Sequence, residues 1–89
     1  MKPYYLEITY RKGVPVAGYL YLPRLEGDRA ARTERFPDGL LIDYSADGRA
    51  IGVEITAPRQ LTLGALNQAL ATAHLEPAAA EDLAPLLAA

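Results

Sequence analysis

The chain has 89 residues, 51% hydrophobic and 22% charged, with a formal net charge of -2 and no cysteine. That length suits one domain, with a thin stability margin because a small chain buries a smaller share of its surface. The charge balance argues against sequence-independent nucleic-acid binding, which needs clustered, uncompensated Lys and Arg. No disulfide is possible, and no apolar run nears the ~20 residues of a membrane span.

Tyr4 to Tyr10 alternates, with Tyr4, Leu6, Ile8 and Tyr10 on one face and Tyr5, Glu7 and Thr9 on the other. Period two with β-branched and aromatic residues predicts a half-buried strand. Arg11-Lys12-Gly13 supplies turn chemistry, and Val16 to Leu22 is the returning strand. That second strand is apolar on both faces. We expect Leu20 and Leu22 inside and Tyr19 and Tyr21 outside, because tyrosine tolerates a wet edge. Residues 23–35 are polar and charged, which predicts a surface loop with a short strand over Thr33 to Phe36.

Leu40 to Tyr44 and Ile51 to Thr56 flank Ser45-Ala46-Asp47-Gly48. Asp-Gly between alternating runs is a strong hairpin signal. With Asp47 and Gly48 as the central residues, Tyr44 opposes Ile51, Ile42 opposes Val53 and Leu40 opposes Ile55, with all six on one face, and a four-residue loop keeps the same faces. A three-residue loop mixes the faces unless a bulge intervenes, so we expect the even loop. Pro58 ends the sheet. Thr62 is a candidate N-cap for an amphipathic helix carrying Leu63, Leu66 and Leu70, with Ala69 and Ala73 beside them. Pro77 stops that helix. A second short helical stretch is expected over 78–84, interrupted by Pro85, after which the tail frays unless Leu86 and Leu87 are taken by the sheet.

Asp43, Ser45, Asp47, Gly48 and Glu54 nearly match the spacing of an EF-hand calcium loop. An EF-hand loop joins helices, whereas this stretch lies between strands, so an Asp-Gly turn with solvated acids is the simpler reading. No metal or cofactor is expected. Glu7, Asp43 and Glu54 share the outer face, where an acid–base pair would need environments that separate their pKa values. His74 falls on the helix's apolar stripe by spacing. Arg24, Arg29, Arg32 and Arg35 form a basic cluster interleaved with Glu26, Asp28 and Glu34. Tyr5, Tyr19 and Tyr21 share the outward face, a composition that favours binding.

The segment GLLIDYSADGRAIGVEI resembles the bacterial family known as domain of unknown function 2283, through Ile42, Asp43, Tyr44, Asp47, Gly48, Ile51, Gly52, Val53, Glu54 and Ile55. Ile8-Thr9-Tyr10 and the Tyr-Leu-Tyr-Leu run at 19–22 are similar to it as well. The resemblance covers about residues 6–57, while Arg11-Lys12-Gly13, the Arg-rich segment and the helical tail depart from it. It implies a small β-hairpin sheet, prokaryotic origin and no established catalytic residues.

The expected fold is α+β: an antiparallel β-meander of two hairpins with a C-terminal helix packed on one face. It forms a single domain over 1–89, with the sheet over about 4–57 and the helical tail over about 62–88. Met1-Lys2-Pro3-Tyr4 opens no signal-peptide apolar region, so a soluble cytoplasmic chain is expected. The expected function is a non-enzymatic protein-interaction or homo-oligomerisation module using Tyr5, Tyr19, Tyr21, Leu41, Arg29, Arg32 and Arg35. Its partner would be itself, as a homodimer, or another protein. The alternatives are a regulatory binder of a toxin-like protein or RNA through loop 24–35, and a small enzyme using the outer-face carboxylates.

Overall fold

Alternating patterning becomes strand in five places: β1 (Tyr5–Arg11), β2 (Val14–Tyr21), β3 (Arg32–Phe36), β4 (Leu40–Tyr44) and β5 (Ala50–Ile55). Then follow α1 (Leu63–Thr72), a 3₁₀ turn at Ala80–Leu83 and α2 (Ala84–Leu87). The computed structural model describes residues 4–87, so the expected N-terminal start at 1–3 and the tail beyond Leu87 lie outside the described residues.

All neighbouring strands are antiparallel, in the order β1-β2-β5-β4-β3. The sheet is therefore not the expected meander of two hairpins. A hairpin (β1, β2) joins a three-stranded meander (β3, β4, β5) through the meander's last strand. The β2–β3 connection must then cross the ends of β5 and β4 to reach the far edge. It is held in passing, because Ala31 N–H donates to the Tyr44 carbonyl at 2.8 Å.

Turn chemistry sets the registers. Arg11 pairs with Val14, so Lys12 and Gly13 alone make the first turn, with φ of 52° and 78°. Two left-handed central residues match the right-handed strand twist. In the β4–β5 turn, Ser45 N–H donates to Arg49 O at 2.8 Å and Gly48, at φ 90°, donates to Ser45 O at 3.0 Å. This is the odd loop that parity argued against. The bulge that repairs it follows at once, because Asp43 pairs with Gly52 while Tyr44 pairs with Ala50. Ile51 is thus the extra residue and does not oppose Tyr44. It is buried but sits apart from the main core, lining a cleft with Tyr19, Tyr21, Arg24 and Ala30. Leu40 and Ile42 keep the expected partners Ile55 and Val53.

One sheet face carries Leu20, Leu22, Leu40, Ile42, Tyr44, Val53 and Ile55, all buried against Leu66, Ala69, Leu70, Ala78, Leu83 and Leu86 of the tail. The inward choice for Leu20 and Leu22 holds, at 0% and 2% exposure. Burying a Leu or Ile side chain contributes about 1.5–3 kcal/mol, so the face that collects these residues decides which way the sheet turns. Thr62 caps α1 as its position suggests, its hydroxyl accepting from Ala65 N–H at 3.1 Å. Asn67 clamps the returning tail: its amide donates to Ala78 O at 3.1 Å and accepts from Ala78 N–H at 2.7 Å. Pro85 lies within α2 and does not interrupt it.

His74 is not on an apolar stripe. The helix has ended, and His74 is exposed at φ 61°. Its N–H donates to Ala71 O at 3.0 Å and Leu75 N–H donates to Leu70 O at 2.9 Å. This is a Schellman stop with histidine where glycine is usual. His74→Gly should therefore stabilise the fold by about 0.5–1 kcal/mol, read by urea denaturation; a loss of stability would show that the imidazole contributes more than its backbone strain costs.

Candidate functional site

The helical tail covers one face of the sheet, and the opposite face carries no element of secondary structure among the described residues. Strand pairing lays its side chains out in two rows. One row reads Tyr5, Tyr21, Gly52, Asp43, Thr33, and the other reads Glu7, Tyr19, Glu54, Leu41, Arg35. Five of the seven residues expected at an interface, Tyr5, Tyr19, Tyr21, Leu41 and Arg35, therefore share this surface. Arg32 does not: it stacks 4.1 Å from the centre of the Tyr44 ring, on the core side. Arg29 sits in the crossing loop.

Asp43 organises the middle of the face. It is only 5% exposed, yet both carboxylate oxygens are bonded. Tyr19 donates to one at 2.8 Å and Thr33 to the other at 2.7 Å. A buried carboxylate without such donors would be costly. Tyr19 reaches Asp43 by leaning across β5 at Gly52, where any Cβ would collide with the phenol oxygen and ring. The mid-strand glycine is thus explained by a side chain that must lie flat over it. Burial, then the bond to Asp43, push the Tyr19 hydroxyl up to about 12. Glu54 is raised as well, first by its hydrogen bond to Asp43 and then by burial and the Asp43 charge.

The rings beside this network are mutually supported. Tyr19 and Tyr21 meet edge to face with centroids 4.8 Å apart, and Tyr5 lies 5.8 Å from Tyr21. Tyr21 donates to Glu7 at 3.2 Å. Arg24 sits 5.1 Å from the Tyr21 ring centre while donating to Ile51 O at 2.7 Å. Tyr5, by contrast, is 62% exposed.

The three expected outer-face acids do converge, lining an open cleft of about 430 Å³ with Thr9, Ala17, Gly18, Tyr19, Ile55 and Thr56. Neither His74 nor any arginine lines it. Among the described residues no group of three or more His, Cys, Asp or Glu could hold a metal ion. The calcium-like spacing separates in space: Asp43 faces Tyr19 and Thr33, while Asp47 is bonded to Ser45 and to Arg49 in the turn.

Arg49, which spacing did not single out, is the cation that ties the crossing loop down. It forks onto Asp28 at 2.8 and 2.9 Å and reaches Asp47 at 2.9 Å. Asp28 in turn accepts from Leu25 N–H at 2.8 Å. Of the arginines in the Arg-rich segment, Arg24 and Arg32 lie against tyrosine rings, and Arg29 and Arg35 have no ion pair among the described residues. No helix of the described residues is long and apolar enough to cross a membrane. No family model, curated protein or solved structure matches the chain.

Two outcomes follow. Gly52→Ala must displace Tyr19 from Asp43, and should cost about 1–3 kcal/mol in denaturant titration; an unchanged midpoint would show that the tyrosine moves freely. Arg49 holds Asp28 below its ordinary 3.8 and Asp47 at about 2. Both groups therefore add stability above their unfolded values and lose it as pH falls from near 4 toward 2. Arg49→Met should flatten that acid limb, measured by denaturation at stepped pH; an unaltered slope would exclude the ion pairs as its source.

Proposed function

We propose that this chain is a non-enzymatic protein-interaction module that works through the sheet face its own helices leave uncovered. One observation carries the reading. The fold places a packed group of tyrosines, with Leu41 and Arg35, on that face, and leaves the outermost ring, Tyr5, mostly in solvent. Tyrosine and arginine dominate binding energy at interfaces because they offer large contact area at low conformational-entropy cost. Rings already held by neighbours and by Glu7 have less entropy left to lose. The likeness of residues 6–57 to family 2283 belongs to the same proposal and is supported by the hairpin form of residues 40–55.

The carboxylate reading draws support from the raised Glu54 pKa beside Asp43. Against it, Asp43 has both oxygens bonded across the sheet, which suits a structural role better than proton transfer. The loop reading has less support. Arg24 and Arg32 are engaged with tyrosine rings and Arg49 is bound to Asp28 and Asp47, so these three cations are already held within the fold.

If Tyr5 serves a partner and not the fold, Tyr5→Ser should leave the thermal midpoint within about 3 °C of the parent. Calorimetry checks this, and a drop of many degrees would mean the ring is there for stability.

A further inference from the structure

We propose that the occupant of the open face is a second copy of this chain, packed face to face about a two-fold axis running along β5, so that Glu7 of each copy meets Arg35 of the other. This rests on the reading of that face as an interface and adds its partner and orientation. The argument is charge complementarity. Glu7 on β1 and Arg35 on β3 stand at opposite edges of the sheet but in the same row. A two-fold axis parallel to the strands exchanges the two edges and preserves the row. It therefore sets Glu7 over Arg35 at both rims, Tyr19 over Leu41 and Tyr21 over Asp43. An axis across the strands instead lays each edge on its own copy and, drawn along this row, sets Glu7 on Glu7 and Arg35 on Arg35. The charges thus choose the first arrangement.

The reach is sufficient. Face-packed sheets lie about 10 Å apart, within the combined length of a glutamate and an arginine side chain. Aligned sheets cross at about 30°, so the axis lies within about 15° of β5. Arg35 has no ion pair among the described residues, which leaves it available to the second copy. Glu54, on the central strand, meets its own copy in either arrangement. It therefore opposes association without affecting orientation.

The size of the face limits the affinity. Four strand spacings by about five residues give a footprint of roughly 300–400 Å² per copy, against about 800 Å² per partner for a standard stable interface. The dimer is accordingly weak, with a dissociation constant in the micromolar range or above.

Sedimentation equilibrium on the full chain, from micromolar to millimolar concentration, tests this. A reversible monomer–dimer equilibrium is expected. Glu7→Arg or Arg35→Glu alone should weaken it about tenfold, and the double exchange should restore it. Restoration also shows that the single variants are folded. Glu54→Gln should tighten the dimer. Glu7→Gln should weaken it; tightening would assign the crossed axis and overturn the proposed one. A dimer indifferent to all these changes uses another surface and overturns the proposal. A strict monomer overturns the second copy as occupant. The interface reading then stands or falls on the Tyr5→Ser midpoint alone.

Discussion

Four residue pairs between β2 and β5, from Gly18–Ile55 to Tyr21–Gly52, join a hairpin to a meander and make one sheet of the two. The hairpin is marginal alone, since two strands have no second layer to bury their apolar side. Once β2 lies against β5, Leu20 meets Val53 and the inward rows of both pieces become continuous. The tail then has a single surface to cover. Tyr4 at the start of the sheet donates to Glu76 O at 2.7 Å, so that cover also reaches the β1 edge.

The same seam shapes the opposite face. Tyr19 opposes Glu54, but its phenol crosses the Gly52 position to Asp43 on β4, and Thr33 on β3 completes the bond set. Side chains on three strands are thereby coupled through a single carboxylate, with Gly52 of β5 making room beneath the ring. Such a network gives its members one arrangement, because each donor has one acceptor within reach. Order on this face therefore comes from polar contacts, while order on the other comes from apolar burial. A face built this way is firm without being covered, which is the property an interface needs.

Local features were legible where the chemistry is local. The Asp47-Gly48 reversal, the Thr62 cap, the inward set Leu20, Leu22, Leu40, Ile42, Val53 and Ile55, and the grouping of Tyr5, Tyr19 and Tyr21 all follow from spacing over a few residues. The parity argument for the loop failed because it treated a bulge as a rare remedy. Here Gly48 and Ile51 together supply the odd residue and its correction. The reversal between β3 and β4 is also local: Pro37-Asp38-Gly39 precedes Leu40, and Asp38 and Gly39 both take positive φ, at 66° and 75°. His74 misled because helical spacing persists in a sequence after the helix has stopped.

By itself the sequence determined the class, the inward rows of the 40–55 hairpin apart from Ile51, and the position of the first helix cap. These depend on side-chain periodicity and on single backbone preferences. The strand order β1-β2-β5-β4-β3, the burial of Asp43 under Tyr19, the fastening of loop 24–31 by Arg49, and the placing of Glu7 and Arg35 in one row were decided only by the tertiary structure. Each of those depends on which distant segments become neighbours. That choice is made by the total area buried when both pieces share one core, a quantity no short window of residues contains.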